Sequence, residues 1–280
     1  MPKLSDPVAI SVFGLEIRWY AIFILAGVLL SIVVLRWLAG QRGLDPEFPL
    51  DAIPWIVLPA LLGARLYYLL LDPDFYLANP DRAINVRLGG LTVHGALAGG
   101  ALGLYIYCRR RNQRFLTWGD LIIAVVPIGQ ALGRWGNWAN QEAFGRPTDL
   151  PWAIDIDPAN RPARYDQYTT FHPTFLYESF LDLLIAVVLI LVVLRMPAKR
   201  FWREGDAIWL YMVMYGLVRF AIESLRTDSL YIGPFPAAYW ISWGLILGGV
   251  LIFVIRRTII PGMIVADAKA TGLSTDTREP

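Results

Sequence analysis

The densest group of chemically useful side chains lies at residues 133–145, with the sequence GRWGNWANQEAFG. A guanidinium, three carboxamides and a carboxylate fall within it: Arg134, Asn137, Asn140, Gln141 and Glu142. The stretch directly follows an apolar run at residues 121–132. Polar side chains in or beside a bilayer are costly and therefore mark candidate functional sites. The arginine would suit an anionic ligand, because the guanidinium fork matches the geometry of phosphate oxygens.

Other ionisable side chains also interrupt apolar segments. Tyr215, Arg219 and Glu223 recur every four residues, so a helix would place them on one face. His94 lies alone in an apolar segment, and the small residues at positions 95, 99 and 103 of this segment predict close approach of a neighbouring helix. There it could take a proton from a nucleophile near neutral pH, or it could be a hydrogen-bonded structural histidine. We expect His172 to cap or anchor the helix that it precedes.

Composition predicts an all-α, polytopic membrane protein. Hydrophobic residues make up 56% of the 280-residue chain and charged residues 17%, and the mean hydropathy is +0.48. Soluble domains are usually less apolar and more charged. Cys108 is the single cysteine, which excludes an intramolecular disulfide and is interpreted as an ordinary small apolar residue. Two histidines are too few for a typical His-rich metal site, so no metal is expected.

Seven segments approach the roughly 20 apolar residues that span a bilayer. They cover residues 20–38, 52–71, 91–108, 118–135, 173–194, 206–223 and 236–255. Basic residues follow the first, third, fifth and seventh segments: Arg36, Arg42, Arg109, Arg110, Arg111, Arg114, Arg195, Lys199, Arg200, Arg203, Arg256 and Arg257. Because basic loops are retained in the cytoplasm, we predict an external N-terminus and a cytoplasmic C-terminus.

We expect one transmembrane catalytic domain over residues 1–260. A long outer loop at about 136–172 is rich in Pro, Asp, Asn and Arg, and loops of that length are often functional. Residues 261–280 are predicted to form a polar cytoplasmic tail that need not be ordered. No convincing internal repeat is present, and this weakens a transporter interpretation, because many transporter folds are duplicated.

The intramembrane polar residues are predicted to share one level. With a helix rise of about 1.5 Å per residue, these residues fall near the outer ends of their spans: Tyr20, Arg65, His94, Arg134, Glu178, Arg219 and Glu223. A single layer suggests one polar chamber that opens toward the outer leaflet. Alternatively, Arg65, Arg219, Glu178 and Glu223 pair with each other and hold the bundle together. We favour the chamber, because arginine is expected to outnumber carboxylate in this layer.

Five segments resemble motifs of the bacterial prolipoprotein diacylglyceryl transferases. Residues 133–145 resemble the family signature G-R-x-G-N-F-x-N-x-E-x-x-G, with Trp138 in place of phenylalanine. Residues 94–97 resemble its H-G-G-L motif, with Ala96 for the second glycine. The remaining three are similar to the first-helix, fifth-helix and sixth-helix motifs: RWY at 18–20, HPTFLYE at 172–178 and YGLVRFAIE at 215–223.

The resemblance implies a reaction and its partners. The family transfers the diacylglyceryl group of phosphatidylglycerol to the lipobox cysteine of a preprolipoprotein, forms a thioether and releases glycerol phosphate. No metal or organic cofactor is implied, and no nucleic-acid partner is expected. The implied location is the bacterial cytoplasmic (inner) membrane, with membrane lipid around a multi-pass protein and the active site toward the outer leaflet.

The resemblance also implies roles for individual residues. We expect catalytic roles for His94, as the base for the thiol, and for Arg134 and Arg219, as phosphate ligands. The residues expected to bind phosphatidylglycerol are Arg134, Asn137, Asn140, Glu142, Gly145 and Arg219. Supporting roles are expected for Tyr20, Arg65, Tyr215 and Glu223. Tyr20 or a bound water remains an alternative base.

Three other classes of protein fit parts of the pattern. An anionic-solute transporter would use the same arginines as a selectivity lining, but the inner halves of the spans are almost wholly apolar. A lipid-facing structural protein is disfavoured by the cost of the arginine layer. A different lipid-head-group transferase would fit the layer but not the five motifs.

Overall fold

The computed structural model describes residues 6–12, 14–85, 89–196 and 201–270. Arg87, Lys199 and Arg200, and the last ten residues of the predicted tail, lie outside these ranges. The helices are α1 Trp19–Gln41, α2 Phe48–Leu71, α3 Pro73–Ala78, α4 Pro80–Ile84, α5 Val93–Arg110, α6 Phe115–Ala139, α7 Thr174–Arg195, α8 Asp206–Glu223 and α9 Ala237–Ala270. The antiparallel hairpins are β1 Val8–Val12 with β2 Leu15–Arg18, β3 Ile154–Asp155 with β4 Thr170–Phe171, and β5 Tyr231–Ile232 with β6 Phe235–Pro236.

The chain is a mostly helical, polytopic membrane protein. Within the described ranges, five helices are long and apolar enough to cross a membrane: α1, α2, α6, α7 and the Ala237–Thr258 part of α9. The two other predicted spans are present as α5 and α8, each of 18 residues. They are more polar, because α8 carries Asp206, Arg219 and Glu223 while α5 ends in two arginines.

Several boundaries differ from the prediction. The helix α6 continues to Ala139, so Asn137 is helical and the outer loop begins beyond that residue. The helix α9 continues to Ala270, past the predicted end of span seven at residue 255. The short helices α3 and α4 and the three hairpins were not predicted. The β3–β4 and β5–β6 hairpins have two residues in each strand, too few to give a strong sequence signal.

The chain divides into two compact units, Ile32–Ile122 and the combination of Met1–Ser31 with Ile123–Pro280. In the first unit, α2 and α5 pack closely through glycine. A Cβ added at Gly95 would overlap the backbone of Gly63, and one added at Gly99 would overlap the carbonyl of Pro59. This confirms the prediction that small residues on α5 permit close helix approach.

Replacing Gly99 with valine is therefore expected to destabilise the protein. The added side chain would meet backbone atoms of α2, which cannot rotate away, and overpacking costs about 1–3 kcal/mol or more. Thermal unfolding in detergent micelles measures the effect. Gly244→Ala is the matched control, since a Cβ at that α9 glycine has no neighbour within 4 Å. Equal melting temperatures for both variants would contradict the close-packing account.

The second unit contains a small core under the outer loop. Phe144, Ile154, Ile156, Phe171 and Phe175 are buried together, and Trp135 and Trp138 of α6 pack against them. The ring centroids of Phe144 and Phe171 lie 4.9 Å apart, and those of Trp135 and Phe175 5.4 Å apart. The outer loop is therefore folded onto the ends of α6 and α7, where the signature residues lie.

Candidate active site

Arg134 lies near the end of α6 and is anchored to α7. Its Nη2 pairs with Glu178 Oε2 at 2.7 Å, and its Nε lies 3.9 Å from Asp182 Oδ2. The Arg134 side chain is 21% exposed, whereas those of Glu178 and Asp182 are 3% and 1% exposed. Among the described residues, only Nη2 is engaged at hydrogen-bonding distance, so most of the five guanidinium donors stay available to a ligand.

Arg219 shows the same arrangement on α8. Its Nη2 pairs with Glu223 Oε2 at 2.5 Å, one helical turn further along. The Arg219 side chain is 21% exposed and that of Glu223 is 1% exposed. Within the described part of the chain, the buried Nη1 of Arg219 has no hydrogen-bond partner. A buried donor without an acceptor is costly, so this nitrogen is poised for an acceptor atom from a ligand.

Arg226 connects the two arginine–carboxylate pairs. Its Nη1 donates to Glu178 Oε1 at 3.2 Å, and its Nε and Nη2 hold Asp228 at 2.9 and 2.7 Å. Burial alone would lower the pKa of Arg226. The hydrogen bond to Asp228 and the charges of Asp228, Glu178 and Glu223 outweigh burial and raise that pKa. Arg226 is therefore firmly cationic, within electrostatic range of both pairs.

The amide side chains of the signature stretch converge on one carboxylate. Asn137 Nδ2 and Asn140 Nδ2 donate to Glu142 Oε1 at 2.9 and 3.3 Å. Within the described residues, the buried Oδ1 of Asn140 has no donor. Gln141 instead faces the outer loop, where its side chain makes two hydrogen bonds of 2.7 Å to Asp157. Asn137, Asn140 and Glu142 thus form one cluster, and Gln141 fixes the loop.

Gly145 is a packing position. Its N–H donates to the carbonyl of His172 at 2.9 Å, and it pairs with Arg226 in a short antiparallel bridge. A Cβ there would lie 2.6 Å from His172 Cβ and 3.1 Å from the carbonyl oxygen of Leu225. Only glycine lets these three segments meet, so the geometry gives Gly145 a structural role beside the expected lipid contact.

His172 belongs to a hydrogen-bonded chain in the outer loop. Trp152 Nε1 donates to the Tyr177 hydroxyl at 2.8 Å, and that hydroxyl lies 3.2 Å from His172 Nδ1. A neutral imidazole whose Nδ1 accepts the Tyr177 hydroxyl proton is compatible with this geometry. Burial lowers the pKa of His172, which favours the same neutral form. The expected anchoring role of His172 is consistent with this geometry.

The folded outer loop should lose stability on mild acidification. The folded pKa of His172 lies below the unfolded value, about 6.5. As the pH falls through 6.5 toward the folded pKa, the unfolded chain takes up the proton first, and stability decreases. Melting temperatures measured across this range should fall less steeply for His172→Gln than for the unmodified protein. Parallel curves for the two proteins would show that His172 is not the group responsible.

Two tyrosines with expected supporting roles lie in the same unit. The ring of Tyr20 at the start of α1 packs directly on Gly136 of α6, where any Cβ would overlap it. The ring of Tyr215 stacks on that of Tyr211 with centroids 5.5 Å apart, and the Tyr211 hydroxyl donates to Gln130 at 3.1 Å. Tyr20 thus packs α1 against α6, whereas Tyr215 stacks on Tyr211, the residue that joins α8 to α6.

Arg65 and His94 lie in the other unit, Ile32–Ile122. Arg65 is buried and donates to the carbonyl oxygens of residues that follow α2: Arg82, Ala83, Gly89 and Gly90. Its guanidinium carbon also lies 5.7 Å from the ring centroids of Tyr68 and Tyr76. His94 is exposed in the first turn of α5, with its ring centroid 6.2 Å from that of Tyr67. Whether His94 serves the arginine site stays a prediction.

The alternative to a ligand-binding chamber was that the charged residues of the layer pair with each other, and the outcome differs from residue to residue. Arg219 does pair with Glu223, and Glu178 pairs with Arg134 rather than with the expected partners. For Arg65 the pairing alternative is wrong, because backbone carbonyls take its donors. Three arginines meet four carboxylates at this site, so the site itself holds no excess of arginine. These are Arg134, Arg219 and Arg226, against Glu178, Asp182, Glu223 and Asp228.

The sequence pattern did not predict roles for two of these residues, Asp182 and Arg226. Asp182 was not considered, although it follows Glu178 by four residues in an otherwise apolar helix and so shares its face. Arg226 follows Glu223 by three residues and by helical periodicity would merely extend the stripe of Tyr215, Arg219 and Glu223 on α8. Its contacts depend on the turn after that helix, which periodicity does not describe.

Comparisons with known proteins agree with the motifs. A family model described as prolipoprotein diacylglyceryl transferase matches residues 7–255. The chain is similar to proteins named phosphatidylglycerol–prolipoprotein diacylglyceryl transferase in several bacteria. The identity is 40% over 247 residues for the protein of Finegoldia magna, covering 88% of this chain and 94% of that protein. It is 43% over 247 residues for that of Thermotoga maritima, covering 88% and 83%.

Proposed function

We infer that this chain, which belongs to the prolipoprotein diacylglyceryl transferase family, is a phosphatidylglycerol–prolipoprotein diacylglyceryl transferase. It transfers the diacylglyceryl group of phosphatidylglycerol to the lipobox cysteine of preprolipoproteins, the first step in lipoprotein maturation. The observation that carries this function is the pair of anchored, incompletely used arginines. One nitrogen of Arg134 and one of Arg219 pair with a buried carboxylate, and the other guanidinium donors can bind a phosphate.

The proposed reaction is a displacement at the glyceryl carbon bonded to the phosphate oxygen. The cysteine thiolate attacks that carbon, the carbon–sulfur bond forms and the carbon–oxygen bond breaks. The electron pair of the broken bond leaves with glycerol phosphate, and the thiol proton passes to a base. The leaving oxygen gains negative charge in the transition state, so cations held in place beforehand stabilise it more than the ground state.

Each residue of the site takes a role that fits its contacts. Arg134 and Arg219 bind the phosphate and stabilise the leaving group. Glu223 orients Arg219, and the cluster of Asn137, Asn140 and Glu142 shapes the space for the glycerol head group. Gly145 keeps the outer loop close to this site. Tyr20 and Tyr215 brace the helices.

The remaining roles fall to the unit that contains α2 and α5. We assign His94 the role of accepting the thiol proton. The thiolate is the reactive form of cysteine, and imidazole is suited to generate it near neutral pH. Arg65 holds the segment between α2 and α5 in place through its hydrogen bonds to backbone carbonyls.

We also propose the topology that brings the site to its substrates. Seven helices span the bacterial inner membrane, with the N-terminus outside and the cytoplasmic tail at residues 261–280. Residues 1–260 form the catalytic domain, and the site opens toward the outer leaflet. The acceptor cysteine follows a signal peptide and emerges on that side. The arrangement is supported by the basic residues that follow alternate spans.

A reconstituted transfer reaction tests the function. Purified protein is incubated in detergent micelles with phosphatidylglycerol and a lipobox peptide, and the peptide is analysed by mass spectrometry. We expect one diacylglyceryl group on the cysteine, and none on a peptide with serine at that position. No mass gain, under conditions in which the Thermotoga maritima relative modifies the same peptide, would sink the proposal.

A further inference from the structure

Glu178 occupies an unusual position in the network of charges. Its side chain is 3% exposed, and each of its oxygens is taken by a different arginine. Oε2 pairs with Arg134 on α6 at 2.7 Å, and Oε1 accepts from Arg226 beyond α8 at 3.2 Å. A single carboxylate on α7 therefore joins groups from three segments of the chain.

The carboxylate also separates two like charges. Without it, the guanidinium groups of Arg134 and Arg226 would face each other in a largely buried region, where repulsion is screened little. Arg226 is fixed on its other side by Asp228, through two parallel hydrogen bonds. All three nitrogens of Arg226 are therefore engaged, whereas most hydrogen-bond donors of Arg134 have no partner among the described residues.

The chain of contacts reaches the outer loop. Arg226 forms a backbone bridge with Gly145, the last residue of the signature stretch. Glu178 thus links Arg134 at the end of α6, through Arg226, to the outer-loop segment that contains Gly145. A small displacement of Glu178 would move Arg134 relative to the loop, and misplacement by about 1 Å can cost about 100-fold in rate.

We propose that Glu178 is a positioning residue for transfer: it sets the orientation of Arg134 toward the substrate phosphate and couples that arginine to the outer loop through Arg226. The proposal rests on the proposed function. Glu178 is assigned no contact with the substrate, because its side chain is only 3% exposed and each of its oxygens already pairs with an arginine. Its effect is exerted on the donor lipid and on the step that expels glycerol phosphate.

Asp182 provides a matched control. It lies one helical turn after Glu178 on the same face of α7 and is equally buried, at 1% exposure. Its nearest contact to Arg134 is 3.9 Å, beyond hydrogen-bonding distance, and it does not contact Arg226 among the described residues. Removing its charge alters the electrostatics around Arg134 but leaves the Glu178 bridge in place.

The test compares Glu178→Gln with Asp182→Asn in the micelle assay, with kcat and KM measured separately for phosphatidylglycerol and for the peptide. We expect Glu178→Gln to lower kcat/KM for the lipid at least about tenfold more than Asp182→Asn, from the cost of misplacing Arg134. The KM for the peptide should not change. Glu178→Gln combined with Arg226→Gln should be no worse than the poorer single variant, since both break the same bridge.

Other outcomes have distinct meanings. Unchanged kcat and KM in Glu178→Gln would overturn the proposal. The same holds if Glu178→Gln and Asp182→Asn lose equal amounts of kcat/KM in parallel with their melting temperatures. Independent, multiplicative losses in the double variant would also overturn it. If Glu178→Gln does not fold, Glu178→Asp replaces it in the assay. The shorter carboxylate keeps the charge but cannot reach both arginines. Full activity of Glu178→Asp would refute the proposed bridge. An inactive unmodified protein would count against the proposed function instead.

Discussion

Replacing Arg134 with alanine is expected to lower kcat/KM for phosphatidylglycerol by about 100-fold to 1,000-fold, the usual cost of removing a preorganised donor from a developing oxyanion. The side chain is held by Glu178 through one nitrogen and is partly exposed, so its remaining donors are directed to a ligand. The loss should appear mainly in kcat, because the interaction strengthens as charge develops on the leaving oxygen. Initial rates of peptide modification at varied lipid concentration measure it.

Two further variants separate charge from geometry at this position. Arg134→Lys keeps the charge but loses the fork, so it should recover only part of the activity. Arg195→Ala, at the exposed end of α7, removes an arginine from the same protein and should act like the unmodified enzyme. If Arg134→Ala retains the full rate, the proposed phosphate site is wrong.

Replacing His94 with alanine should reduce the rate by about 100-fold to 10,000-fold, as expected when a general base is lost. His94 is exposed at the start of α5, so its removal leaves no cavity and should not change the melting temperature. His172→Gln is the matched control, since the chain has only these two histidines. The His172 ring hydrogen bonds the hydroxyl of Tyr177, which in turn accepts from Trp152.

Added imidazole gives this prediction a second readout. A missing base can be replaced from solution, so imidazole should restore part of the activity of His94→Ala and have no such effect on Arg134→Ala. Transfer by His94→Ala at the unmodified rate would show that His94 is not the base. Tyr20, which packs on Gly136 beside the arginine site, would then be the next residue to test.

Hydropathy predicted the long helices of the described residues, since each of the seven predicted segments corresponds to a helix, and five of these helices are long and apolar enough to cross a membrane. The glycine spacing on α5 predicted its close packing on α2. The same reasoning failed where polar sequence forms structure. The alternating residues around Gly14, which has φ of +80°, are a recognisable hairpin signal that was overlooked.

The outer loop was harder to predict for a physical reason. Its core residues, such as Phe144, Ile156 and Phe171, are widely separated and follow no period, so their burial depends on the fold of the loop as a whole. The positive φ of Gln141 and Ala143, 51° and 56°, turns the chain sharply at the end of α6. Neither residue type favours that conformation.

The pairing of the charged residues could not be read from composition. Depth along a helix placed Arg134 and Glu178 at a similar level, but which carboxylate meets which arginine depends on helix rotation. Asp182 and Asp228 changed the charge balance from an excess of arginine to a slight excess of carboxylate. The site is therefore a set of anchored arginines and not a simple basic pocket.

The central claim is that these arginines expel glycerol phosphate while the diacylglyceryl group passes to cysteine. The most direct measurement uses phosphatidylglycerol labelled in its head-group glycerol and quantifies both products from one reaction. We predict one labelled glycerol phosphate released for each thioether formed, with both falling together in Arg134→Ala. Release of labelled glycerol without phosphate, or of glycerol phosphate without modification of the peptide, would contradict the account.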